Sequence, residues 1–175
     1  RHQILRVEFK LLESIFNHLN SVWGPFTVDA FATQMNRQLP RFWSQHNDDQ
    51  AEAKDALRQN WSKEGLYLNP PYVLLPRILN RLREFKVKNA VVIAPLWPTQ
   101  AWFPVLLGMS TEVLQLGLVD ECHYAPTMSH QKSTDLAPWQ VAAFRVSFQV
   151  CNSRDMISEL ASALFQNGKM EMVLP

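Results

Sequence analysis

The run "NAVVIAPLW", residues 89–97, restricts the possible folds more than any other stretch of this 175-residue chain. Apart from its first residue it is wholly apolar, and it is far too short to span a membrane. A strand without polar alternation has both faces covered, as in a parallel sheet flanked by helices. The flanking pattern agrees. "FTVDAFA" (26–32), "GLYLNPPY" (65–72), "EVLQLGLV" (112–119) and "QVAAFRVSFQV" (140–150) read as strands. Helical spacing of Leu5, Phe9, Leu12, Phe16 and Leu19 predicts an N-terminal helix within residues 1–22. Further helices are expected over 49–59, 74–86 (with Pro76 in the first turn), 99–109 and 153–164, the last in a C-terminal tail over 153–175. Residues 33–49 and 123–139 lack periodicity and read as loops. The expected class is α/β: one domain over 1–175, with a mostly parallel sheet and flanking helices.

Charge and cysteine content narrow the function classes. The net charge is +1, so any contact with nucleic acid has to come from a local patch. Cys122 and Cys151 form no metal-binding spacing and read as reduced thiols of an intracellular protein, cytoplasmic or nuclear. Asp120, Glu121, Cys122 and His123 are consecutive and cannot all converge on one ion, so no metal site is predicted. No serine sits on a nucleophile elbow. No membrane span or signal segment is read from the sequence. The chain begins at Arg1, which suggests a piece cut from a larger polyprotein.

Chemistry concentrates at the expected carboxyl ends of three strands, in "VDAFA", "LNPPY" and "APLWPTQAWF", where open α/β sheets bind ligands. In Asn69-Pro70-Pro71-Tyr72 the prolines fix φ and remove backbone donors. The corner is left rich in acceptors. The Asn69 side-chain oxygen beside the Pro70 carbonyl suits an exocyclic amine, which carries two hydrogens. Tyr72 offers a flat face to a planar ring. Adenine, with its N6 amine, matches this layout.

"NPPY" resembles the (D/N/S)-P-P-(Y/F/W) signature of S-adenosylmethionine-dependent amino methyltransferases, chiefly DNA adenine-N6 methylases. The ordered series "FTVDAFATQMNRQLPRFWSQ", "DALRQNW", "LYLNPPY", "APLWPTQAWF" and "APWQVAAFRVS" is similar to phage-type Dam methylases. It is also similar to the methylase-like domain in polyproteins of DIRS-type retrotransposons. The resemblance implies a compact Rossmann-like fold, S-adenosylmethionine as cofactor and DNA as substrate. It also implies neighbouring reverse transcriptase, RNase H and tyrosine recombinase domains as partners in the same polyprotein. Asn69, Pro70, Pro71 and Tyr72 would be catalytic. Asp29, Ala30, Phe31 and Asn36 would line the cofactor site, with Asp55 or Asp49 as candidates for its ribose. Arg77, Arg81 and Arg83, with Lys86 and Lys88 close behind, would hold phosphates. Trp97 and Trp102 would stack on or wedge into DNA.

One departure stands out: "TQMNR" occupies the place of the tight glycine loop. Two alternatives stay open, the first on this departure and the second because retroelements carry such a domain nearby. The domain could be a catalytically degenerate copy that binds nucleic acid or protein, or an RNase H-like nuclease, which would need several strand-end carboxylates.

Overall fold

The computed structural model describes residues 9–126, 139–148 and 161–162. The start of the expected N-terminal helix, most of the late loop and nearly all of the C-terminal tail lie outside the described residues. In chain order the elements are β1 (Lys10–Leu11), α1 (Glu13–Trp23), β2 (Val28–Asp29), β3 (Trp43–Ser44), β4 (Ala53–Lys54), β5 (Leu66–Leu68) and α2 (Leu75–Glu84). They continue with β6 (Ala90–Pro95), α3 (Trp102–Met109), β7 (Ser110–Leu118), α4 (Val119–Cys122), β8 (His123–Tyr124) and β9 (Gln140–Val146).

The central sheet has five strands in the order β2-β5-β6-β9-β7. It is mixed: β2, β5 and β6 pair in parallel, whereas β9 runs antiparallel to both β6 and β7. The expectation of a mostly parallel sheet thus describes only its first half. A parallel bridge joins Asp29 to Phe42, and the Ala32 N–H donates to the Trp43 carbonyl at 3.2 Å, so the β3–β4 pair sits beside β2.

Two-residue alternation sorts the sheet into two apolar faces. Leu66, Leu68, Ala90, Val92, Ala94 and Phe144 point toward α2 and α3, while Tyr67, Val91, Ile93, Val141 and Ala143 pack with α1. Because β6 contributes fully buried side chains to both faces, its sequence carries no polar residue. In α2, Leu75, Ile78, Leu79 and Leu82 recur at helical spacing and form the buried stripe.

Three local expectations need correction. The first helix begins at Glu13, because Lys10 and Leu11 pair antiparallel with Tyr124 and His123 instead of coiling. Residues 49–59 form no α-helix: Ala53 and Lys54 pair with Trp43 and Ser44, and Asp55 turns the chain at φ 59° into a single 3-10 turn over Ala56–Arg58. The strand expected over 112–119 ends at Leu118, and Val119 opens α4. No helix among the described residues is long and apolar enough to cross a membrane.

Candidate active site

β5 ends at Leu68, and the chain leaves the sheet through Asn69-Pro70-Pro71-Tyr72. The Leu74 N–H donates to the Pro71 carbonyl at 2.9 Å, closing a 3-10 turn over Tyr72–Leu74 that runs directly into α2. The two prolines and this bond make a stiff corner. Tyr72 is half-buried and stands edge-on to Trp97, with ring centroids 5.3 Å apart. Trp139, immediately before β9, closes the group at 6.3 Å from Tyr72 and 5.4 Å from Trp97. Burial raises the Tyr72 hydroxyl above its ordinary pKa, so the ring stays neutral.

The corner forms one wall of a cavity of about 710 Å³. Phe31, Ala32, Thr33 and Asn36 from the loop after β2 form another wall, and Gln45 and His46 follow β3. Val119, His123 and Trp139 close it. An adjoining void of about 10 Å³ shares Phe31, Asn36 and Asn69 with it and reaches down to Asp29, Gln38 and Tyr67.

Asp29 is 2% exposed, and its Oδ2 accepts the Gln38 backbone N–H at 2.9 Å. Burial pushes its carboxyl up to about 7, against the opposing pull of the Gln38 and Phe31 backbone N–H groups and the Lys10 charge. Tyr67, its neighbour across the strand pairing, is pushed well above the ordinary phenol value by burial and by the Asp29 charge. The Asn69 and Gln38 side chains approach the Tyr67 hydroxyl without completing a hydrogen bond of normal geometry.

Five buried side-chain polar atoms among the described residues have no partner. Three of them, Gln45 Nε2, the Tyr67 hydroxyl and Trp139 Nε1, belong to residues lining these two voids. All three can donate; Trp139 Nε1 approaches the Tyr72 hydroxyl without completing a bond of normal geometry, and such orphans are costly unless a ligand satisfies them. His123 adds an acceptor. Its Nδ1 lies 3.2 Å from the Val119 carbonyl and donates to it, which leaves Nε2 unprotonated, and burial pushes the ring down to about 4. The Cys122 thiol beside it is pushed up to about 11 by burial first and then by Glu121 and Asp120, so it is inert as a nucleophile.

The loop after β2 does without glycine. Asn36 Oδ1 accepts from the Thr33 N–H at 2.7 Å and from its hydroxyl at 3.2 Å, while the Arg37 N–H donates to the Thr33 carbonyl at 3.0 Å. Gln38 Nε2 ties the same loop to the Leu11 carbonyl at 2.7 Å. Asn36 therefore lines the cavity but spends its side-chain oxygen on shaping it.

Residues 8–154 match the sequence model of Dam, DNA N-6-adenine-methyltransferase. The chain belongs to this family. No curated protein matches it by sequence.

Measured against the residues expected for this family, the structure gathers Asn69, Pro70, Pro71, Tyr72, Phe31 and Asn36 around one cavity and Asp29 in the void beside it. Ala30 is fully buried in the core behind the wall. Asp55 lies outside the lining: its carboxylate accepts the Leu57 N–H at 3.2 Å and pairs with Arg58 at 3.2 Å. Asp49 does not line the cavity either. Trp102 is 8% exposed and packs on Phe103 in the core, away from any stacking position. Trp97 is half-buried behind Tyr72. Arg77 and Arg83 are exposed, but Arg81 is folded back. It pairs with Glu84 at 2.9 Å and lies over the Phe85 ring at 4.8 Å. Sequence reasoning misses Gln45, Tyr67 and Trp139 as site residues. Tyr67 carries a usable signal, since the alternation in "LYL" turns it away from Leu66 and Leu68 and toward the face of Asp29. Gln45 carries no such signal.

Proposed function

We propose that the protein is an S-adenosylmethionine-dependent DNA methyltransferase acting on the N6 amine of adenine, built as a compact Rossmann-like domain. One observation carries the reading: the acceptor-rich corner at Asn69 and the loop after Asp29 share a single cavity. Its position beyond the carboxyl ends of the parallel strands β2 and β5 supports the fold assignment. Retroelement polyprotein membership, with reverse transcriptase, RNase H and recombinase neighbours, is part of the same proposal and rests on the resemblance alone.

The residues present fit the cofactor. A cavity of about 710 Å³ is of ligand size, and the orphaned donors of Gln45 and Tyr67 suit a molecule rich in oxygen and ring-nitrogen acceptors. Asp29 would take its ammonium group by a charge-assisted bond, and Phe31 would pack on its apolar surface. When bound, the cofactor supplies an electrophilic sulfonium methyl. The protein's own work is on the acceptor. The Asn69 side-chain oxygen and the Pro70 carbonyl accept the two amine hydrogens and draw the nitrogen lone pair out of ring conjugation. Tyr72 holds the base by its face, with Trp97 and Trp139 fixing the angle of its ring. The neutral corner adds no competing charge.

The degenerate-copy reading leans on the missing glycine loop, and the Asn36 brace supplies that turn by other means. Calorimetric titration with S-adenosylmethionine and with its demethylated product tests the proposal: saturable binding is expected, and no heat at millimolar ligand would overturn it.

A further inference from the structure

Val73 follows the acceptor corner directly and is 83% exposed, more than any other large apolar side chain among the described residues. Its neighbours Tyr72 and Leu74 are both half-buried against the core, so the 3-10 turn points Val73 alone outward. It nevertheless lines the large cavity, which places it at the rim. The mount is rigid. Two prolines precede it, the Leu74 N–H is bonded to the Pro71 carbonyl at 2.9 Å, and the turn continues into α2. A β-branched side chain adds stiffness at χ1.

The surface that follows is basic. Arg77 is exposed one helical turn beyond Val73, and Arg83, Lys86 and Lys88 are exposed further on. No acidic residue occurs between Asn69 and Glu84. In a chain of net charge +1 this is a local field, suited to a polyanion. Val22 and Val105 sit on α1 and α3, outside the cavity lining, and Met35, at 52% exposed, lies in the loop after β2 without a proline-stiffened mount of this kind.

We infer that Val73 is a wedge that enters the base stack of double-stranded DNA as the acceptor base leaves it, with Arg77 holding the adjacent backbone. This rests on the proposed action on adenine. Extracting a base leaves a gap that water fills poorly, and a fixed apolar group beside the receiving cavity offsets part of the unstacking cost. A single strand has no gap to fill. Exposure of one stiff apolar side chain is thereby explained by the partner it meets.

The test compares methyl incorporation into native and heat-denatured mixed-sequence genomic DNA, so no target sequence need be known. Val73→Ala is expected to lose about tenfold on native DNA and less than about twofold on denatured DNA. Val73→Ile should restore the native rate, and Val22→Ala should change neither. Equal losses on both DNA forms, or no loss on native DNA, would overturn the wedge. A second readout needs no methyl transfer: duplex DNA with 2-aminopurine replacing part of its adenine should brighten when wild-type protein binds, and Val73→Ala should suppress the rise. Brightening without transfer would support the wedge and sink the methyltransferase reading. Transfer to native and denatured DNA alike, without brightening, would sink the wedge alone.

Discussion

Asp29 and Tyr67 stand opposite each other in the parallel pairing of β2 with β5, and both face the same small void beneath the acceptor corner. A carboxyl and a phenol, each almost fully buried, are thus held side by side, the one pushed up to about 7 and the other's hydroxyl without a partner.

The raised carboxyl predicts a sign for two pH dependences. Because Asp29 binds its proton more tightly folded than unfolded, it makes stability greatest at low pH. That contribution falls as pH rises from about 4 to about 7, then levels off. Affinity for a cationic cofactor should move the other way, rising through pH 7 as the carboxylate forms. Calorimetry from pH 6 to 8 checks this, with Asp29→Asn expected to bind more weakly and to flatten the profile. An undiminished slope in Asp29→Asn would contradict the assignment.

Tyr67→Phe separates a ligand-binding hydroxyl from a structural one. Deleting a buried donor that lacks a partner should leave the denaturation midpoint unchanged or slightly higher, whereas cofactor affinity should fall by about tenfold. A loss of stability with unchanged affinity would show that the hydroxyl serves the fold.

The exposed arginines and the folded-back one should differ. Arg77→Ala and Arg83→Ala should each reduce the salt slope of DNA binding by about 1, uniformly across sequences. Arg81→Ala should leave that slope alone and cost about 1 kcal/mol of stability, since its guanidinium is engaged with Glu84 and Phe85. Fluorescence anisotropy over a salt series from about 50 to about 200 mM, across which phosphate contacts are lost, reads the distinction.

The parts legible in the sequence are those with strong local signals. β6 carries a continuous apolar run, α2 a clear stripe of Leu75, Ile78, Leu79 and Leu82, and Asn69 to Tyr72 a corner whose chemistry does not depend on context. β3 and β4 are not legible, because two-residue strands have no periodicity and exist only through their pairing with each other. Asp55 misleads for the same reason: its cap of the 3-10 turn follows from the β4 pairing, not from local propensity. Gln45 and Trp139 reach the cavity across long sequence separations, and only the folded chain shows their nitrogens buried without partners. Arg81 looks like its neighbours in the sequence, and only packing turns it inward.

The ring at position 72 and the amide at position 69 have separable roles. Tyr72→Phe should be mild, since base stacking needs the ring and not its hydroxyl, whereas Tyr72→Ala should weaken base engagement and loosen the contact with Trp97. The measurement that tests the central claim most directly is transfer of labelled methyl from S-adenosylmethionine to adenine-containing DNA, with adenine-free DNA as control, by wild type and Asn69→Ala. Wild type is expected to place label on adenine N6, and Asn69→Ala to bind cofactor normally while losing about 10²–10³ in rate. Equal rates for the two proteins, or a wild type that binds cofactor and never transfers methyl, would contradict it.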